Sequence, residues 1–182
     1  MVEEQKPVVT ERRESPTSAI VAYALATRKD EEINREMKKG LNKHTEHYAY
    51  PHVLPRVPHI SQEDRVLRIA GLIASESRPY DAEVDFGRWL NEDRDAKKEN
   101  IENRLLRLMN LNFDQAIDEI VRLFKLTGNP GGLNWYRLAE TLFFWGDGVS
   151  DGSLKTRQSI LRDYYRSDFI STTDVDGEEE KK

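Results

Sequence analysis

The stretch from Asn100 to Gly146, NIENRLLRLMNLNFDQAIDEIVRLFKLTGNPGGLNWYRLAETLFFWG, carries three apolar stripes in succession, each at helical spacing. Ile101, Leu105, Leu108 and Met109 predict a first helix over about 101–111, with Arg104 and Arg107 together on its polar face. Asn112, with Gln115 three residues on, has the form of a capping box and opens a second helix. Phe113, Ile117, Ile120, Val121 and Phe124 lie along one side of it, and Arg122 and Lys125 along the other. The breaker run TGNPGG from Thr127 to Gly132 separates a third helix, capped by Asn134 and lined by Trp135, Leu138, Leu142 and Trp145. Gly146 and Gly148 are placed to end it. No such helix buries its stripe alone, and the loops are short, so the three must fold back into a compact antiparallel bundle.

The remainder of the chain reads as packing around that unit. Residues 1–16 mix charges with two prolines and show no apolar period, as in a flexible leader. Two helical segments follow from Thr17 to about Gly40, the second capped by Asp30 and stopped at Gly40. Lys38 and Lys39 lie in its last turn, where cations favour the helix dipole whether or not they also meet a ligand. All four histidines, His44, His47, His52 and His59, fall between Leu41 and Ile60, beside Tyr48, Tyr50 and prolines 51, 55 and 58. A metal site would take His44 and His47 with Glu46 or His52, whereas the plainer reading is a proline-bent connection with surface histidines. Ser61 and Asp64 suggest a capping box for a helix that buries Val66, Ile69, Ala70 and Ile73 and turns Arg65 and Arg68 outward. FGRWL forms a short helix or turn anchored by Phe86, Trp89 and Leu90. A last helix, SLKTRQSILRDYYRSD, has Leu154, Leu161, Tyr164 and Tyr165 to pack. No segment alternates at strand period, so the class is all-α. The expected organisation is an N-terminal helical lobe at 17–98, a C-terminal antiparallel four-helix lobe at 99–170, and an acidic disordered tail at 171–182.

Charge and composition narrow the function classes. The 182 residues carry a formal charge of −5, of which the leader holds −1 and the tail −3, leaving a near-neutral body. Contact with nucleic acid would therefore need a local strip of cations, not a global positive field. The chain has no cysteine, which excludes disulfides, thiolate nucleophiles and cysteine-bound zinc. It has no long apolar run and no apolar signal core, so a soluble, cytoplasmic protein without membrane partners is expected. GNPGG lacks the lysine and hydroxyl of a phosphate loop, and Asp118 with Arg122 reads as an ordinary i,i+4 pair. No nucleophile with a base and no acid–base pair is legible; neither an enzyme nor a bound metal or cofactor is expected. Trp135, Trp145, Tyr164 and Tyr165 fit core positions better than base-stacking ones. There remain Arg104, Arg107, Arg122, Lys125, Arg137, Arg157 and Arg162, recurring on polar faces as either a solvated surface or a strip that tracks phosphates.

Taken in order, RVLRIAGLIA (65–74), FGRWL (86–90), NIENRLLRLMNLN (100–112), LNWYRLAETLFFWG (133–146) and RDYYRSD (162–168) resemble the small subunit of the type I-E CRISPR surveillance complex Cascade, the CasB family. The resemblance covers about residues 30–168. It implies an all-helical, non-catalytic protein, present in two copies within a ribonucleoprotein, that supports the guide RNA–target heteroduplex and the displaced DNA strand. Its implied protein partners are its own second copy and the backbone and large subunits of the complex. By the same resemblance, Lys38, Lys39, Arg104 and Arg122 match basic positions of the family; Arg107, Lys125 and Arg157 are added from helical geometry. Asn110 and Asp147 stand where cations would be usual, and the acidic tail is outside the family pattern. Two other readings compete: a purely protein-binding helical adaptor, and a metal-dependent enzyme built on the histidine segment.

Overall fold

Every residue from Val66 to Ala74 is buried, and the helix that contains them, Glu63–Ser75, is the element around which the others pack. A computed structural model describes residues 15–57, 61–92, 98–128 and 131–173. The expectations for the leader before residue 15, for Pro58 and His59, for Asn129 and Pro130 and for the tail from residue 174 lie outside the described residues. The helices are α1 (Ser18–Ala26), α2 (Glu31–Lys38), α3 (Tyr50–Val53), α4 (Glu63–Ser75), α5 (Phe86–Asn91), α6 (Lys98–Leu108), α7 (Phe113–Thr127), α8 (Trp135–Phe143) and α9 (Asp151–Thr173). Short 3-10 turns at Lys39–Leu41, Glu46–Ala49 and Leu54–Arg56 join α2 to α3 and follow α3. Among the described residues the only strand-like pairing is an isolated bridge between Tyr80 and Leu133, so the protein is all-α. No helix among them is long and apolar enough to cross a membrane.

α4 contacts α1, α2, α3, α7 and α8, which leaves it no solvent face from Val66 to Ala74. The expectation that Arg65 and Arg68 point outward is corrected for that reason. Arg68 is only 4% exposed and donates from Nη1 to the Gly40 carbonyl at 2.8 Å, while Glu46 and Asp114 neutralise it at 3.2 and 3.5 Å. Arg65 is half-buried and donates to the Phe143 carbonyl at 2.8 Å. Nor does Ser61 cap α4: Gln62 holds that position without a side-chain cap bond, and Glu63 and Asp64 supply the acidic first turn. Gly40, expected as a helical stop, sits inside a 3-10 turn, where a Cβ would lie 2.6 Å from the Leu67 carbonyl oxygen. Its role is close approach to α4.

The three helices expected from Asn100 to Gly146 form as α6, α7 and α8, but α6 ends at Leu108 instead of about 111, and α8 packs chiefly against α4 instead of folding back on α7. Asn112 accepts from the Gln115 N–H at 3.0 Å, and Gln115 accepts in return from the Asn112 N–H at 3.3 Å. Asp30 caps α2 by accepting from the Glu32 and Ile33 N–H groups, and Asn134 caps α8 by accepting from the Arg137 N–H. Each tryptophan is fully buried and ties a loop: Trp89 donates to the Gly131 carbonyl, Trp135 to Arg78 and Trp145 to Leu111, all within 3.1 Å. The indole N–H groups are thus satisfied inside the core. One continuous core runs from Ile20 to Tyr164 and includes side chains from both halves of the chain.

The tightest helix pair is α5 against α9. Gly87 makes it possible: a Cβ there would collide with the Ile160 carbonyl oxygen and sit 2.6 Å from the Tyr164 nitrogen. Asn91 then donates to the Tyr164 carbonyl at 2.7 Å. Both obstacles are backbone, so Gly87→Ala is expected to destabilise the protein by about 1–3 kcal/mol, in the range of overpacked cores. Urea unfolding of the two proteins measures this, and an unchanged midpoint would contradict the close packing.

Candidate nucleic-acid interface

Four of the expected cations gather where α6 meets α7. Their anchor is Glu119, which lies beside the buried stripe of α7 and is 1% exposed. Arg104 donates from Nη1 to its Oε1 at 2.6 Å, and Arg122 from Nη1 to its Oε2 at 3.2 Å. Arg104 is further steadied by Asn100 Oδ1, 3.2 Å from its Nε. Two guanidiniums on one carboxylate leave an excess positive charge whose orientation is already set. The i,i+4 pairing expected for Arg122 with Asp118 is replaced by this i,i+3 pairing with Glu119. Arg122 remains 59% exposed, Arg104 is 33% exposed, and Arg107 and Lys125 are exposed as well. A recess of about 200 Å³ lies between Arg107 and Arg122, lined as well by Leu111, Gln115, Asp118 and Glu119. Among the described residues Arg107 and Lys125 have no ion pair.

Lys38 and Lys39 occupy a second surface, at the end of α2 and the start of the 3-10 turn. Lys38 is exposed; the Lys39 ammonium lies 3.6 Å from the centre of the Tyr48 ring. A recess of about 350 Å³, lined by Asn42, Lys43, His44, Arg68, Asp114 and Asp118 among others, adjoins this turn. Asp118 borders both recesses, so the outer face of α7 runs from one cation group toward the other. Asp114 on that face is neutralised by Lys43 at 3.2 Å and by Arg68.

Arg157 does not belong to either group. It is 3% exposed, and its guanidinium donates to the carbonyls of Trp145, Met109 and Gly146 at 3.0, 2.8 and 3.1 Å while stacking over the Trp145 ring. Burial lowers its pKa, opposed by the Asp147 carboxylate. The reason is register: Ser153, Arg157, Ile160 and Tyr164 form the inward stripe of α9, whereas Leu154 and Tyr165 are exposed. Arg137, half exposed, is held by Asp85 at 2.7 Å and Asp163 at 3.2 Å. Asp147, which interrupts the cation pattern, organises the turn before α9 by accepting from the Val149 and Ser150 N–H groups at 2.9 and 3.0 Å; those bonds hold its carboxyl below the usual range.

The buried, anchoring role of Glu119 is what the sequence reading missed, although its spacing from Ala116 and Leu123 puts it on the buried side of α7. In the histidine segment, His52 pairs with Glu36 at 2.7 Å and contacts the Tyr23 hydroxyl, while the His47 ring lies tilted against Tyr48. Among the described residues no three His, Asp or Glu side chains converge in a way that would hold a metal.

The sequence profile of the family described as "CRISPR-associated protein Cse2" matches residues 34–165. Two crystal structures, both of proteins from Thermus thermophilus, share the fold: a CRISPR-associated protein of the Cse2 family, with TM-score 0.69 and 18% identity, and CasB, with TM-score 0.68 and 20% identity. Each alignment covers 84% of this chain and 99% of the other. No curated protein matches the sequence.

Proposed function

This chain belongs to the CRISPR-associated Cse2 family, and from that premise we propose that it is a non-catalytic subunit of a type I-E RNA-guided DNA surveillance complex. Its task there is to hold nucleic-acid backbone without sequence preference, steadying the guide RNA–target heteroduplex and the displaced strand. It does so in the cytoplasm, beside a second copy of itself and the backbone and large subunits. The observation that carries this reading is the α6–α7 face, where Arg107, Arg122 and Lys125 are exposed and Arg104 is oriented by a buried carboxylate. Point cations on rigid helices suit phosphates, whose spacing is independent of sequence. Because exchanging a DNA duplex for a heteroduplex is nearly balanced in energy, a few such contacts are enough to bias the R-loop.

Binding of single-stranded DNA by the full chain, alone and reassembled with its partner subunits, tests the proposal. Affinity is expected to fall with salt by about 0.7 log units per log salt for each phosphate contact, so Arg107→Gln with Lys125→Gln should flatten the slope by about 1.4. A slope indifferent to both substitutions would count against this face.

A protein-binding adaptor is the second reading, and one observation favours it. Leu154, Leu161 and Tyr165 line the outer side of α9, where an open groove of about 590 Å³ is bordered by Gln158, Arg162 and Arg166. In that case the α6–α7 cations are solvated, and their removal leaves nucleic-acid retention by the complex unchanged.

A further inference from the structure

We infer that His47 and Tyr48 form a stacking platform for unpaired bases, with Lys38 and Lys39 beside it for the phosphates of the same strand. The inference rests on the backbone-holding role proposed above and adds to it a second, base-contacting site far along the chain from α6 and α7.

The two rings are 4.3 Å apart between centroids and inclined by 34°. Tyr48 is 44% exposed and His47 is exposed too. Three other exposed rings lean edge-on against better-buried ones: Tyr165 on Tyr164, Phe144 on Phe143 and Tyr80 on Tyr136. The contacts of Tyr48 differ, since its ring neighbours are the exposed His47 and the ammonium of the half-buried Lys39, not a better-buried ring. A solvent-facing aromatic pair next to cations is the arrangement that binds single strands with little sequence preference, because every base has a π-face and every nucleotide a phosphate.

The backbone beneath the platform is fixed. Thr45 Oγ1 donates to the Lys39 carbonyl at 3.0 Å, the His44 N–H to Asn42 Oδ1 at 2.9 Å, and the Tyr48 N–H to the Thr45 carbonyl at 3.1 Å. These bonds tie the 3-10 turn that carries Tyr48 to the one that carries Lys39. Nearby Glu46 is engaged by Arg68 and by the Tyr50 hydroxyl, so it opposes an arriving phosphate less than an unpaired carboxylate would. Lys39 covers Tyr48 through a flexible four-carbon stem. An exposed ammonium–ring contact is weaker than a base stacked on the same ring, so the base displaces the ammonium, which swings to the phosphate. Duplexes conceal the faces of their bases; the ligand is therefore an unpaired segment.

The test compares a thymidine oligonucleotide with an abasic strand of equal length, using the full chain alone and reassembled with its partner subunits. Wild type is expected to prefer the base-bearing strand by roughly tenfold, the worth of about one stacked base. Tyr48→Ala should abolish that preference without weakening binding to the abasic strand, and Tyr48→Phe should retain it. Thermal melting of each variant at the wild-type temperature shows that folding is not the cause. A preference that survives Tyr48→Ala, or no preference in wild type, overturns the platform and leaves the backbone-holding role standing. Binding to neither strand in either setting overturns both. If Tyr48→Ala spares both strands and instead releases the subunit from the complex, the patch holds a protein and the inference fails.

Discussion

Replacing Arg157 with methionine is expected to lower the melting temperature by roughly 10 °C. The guanidinium links the end of α6, the turn after α8 and the middle of α9 through the carbonyls of Met109, Gly146 and Trp145. Trp145 would keep one partner, because Ser153 Oγ also donates to its carbonyl at 2.7 Å. The Met109 and Gly146 carbonyls would be left with no such donor. Two stranded acceptors, both part-buried, cost at most about 2–5 kcal/mol together, and a chain of this size loses roughly 2–4 °C per kcal/mol. Methionine refills most of the volume over the Trp145 ring, which confines the loss to the polar term. Lysine should fall between, since one ammonium reaches fewer of the three carbonyls than a planar fork does. Calorimetry of the two variants checks the ranking. A variant that melts normally but binds nucleic acid less tightly would return Arg157 to the surface strip.

That residue also shows where the sequence stops being legible. Two stripes lie side by side along α9: one through Leu154, Leu161 and Tyr165, the other through Ser153, Arg157, Ile160 and Tyr164. Hydrophobicity favours the first, yet the core takes the second. The choice is made at long range, by Gly87 opening α5 to the backbone at Ile160 and Tyr164 and by carbonyls waiting at the end of α8. Helical periodicity contains neither fact. α7 is the opposite case: its start depends on a reciprocal pair three residues apart, Asn112 and Gln115, and its stripe is unambiguous, so local rules sufficed. α4 failed in a third way. Its polar residues suggested an outward face, but it is enclosed by five other helices, and Arg68 is kept inside because Gly40, Glu46 and Asp114 supply its partners. A buried arginine cannot be told from a surface one until its acceptors are placed. For the candidate interface, the clustering of Arg104, Arg107, Arg122 and Lys125 was readable from spacing on two adjacent helices. The carboxylate that orders two of them stands in the same sequence, at a position the stripe of α7 already marks as inward.

Reversing the charge of Arg107 and Lys125 together should weaken retention of DNA by the assembled complex roughly 30- to 100-fold, at about 0.5–0.7 kcal/mol for each lost phosphate contact and as much again for the repulsion that replaces it. These two are better probes than the family-matched pair, and the reason is Glu119. Arg104→Glu would set a second carboxylate against one that is 1% exposed, and Arg122→Glu would remove its other partner. The resulting loss of stability, on the order of a few kcal/mol before discounting for the solvent that reaches Arg104 and Arg122, would mix folding with binding. Arg107 and Lys125 are exposed, and among the described residues neither holds a carboxylate, so their reversal tests binding with little effect on the fold. Retention measured at two salt concentrations separates the outcomes. A backbone-holding face predicts that the deficit shrinks at high salt, where phosphate contacts contribute least. An adaptor predicts no deficit at either concentration, provided the subunit still assembles. A deficit of equal size at both would instead mean that the complex itself has lost the subunit, which the same preparations reveal by their composition.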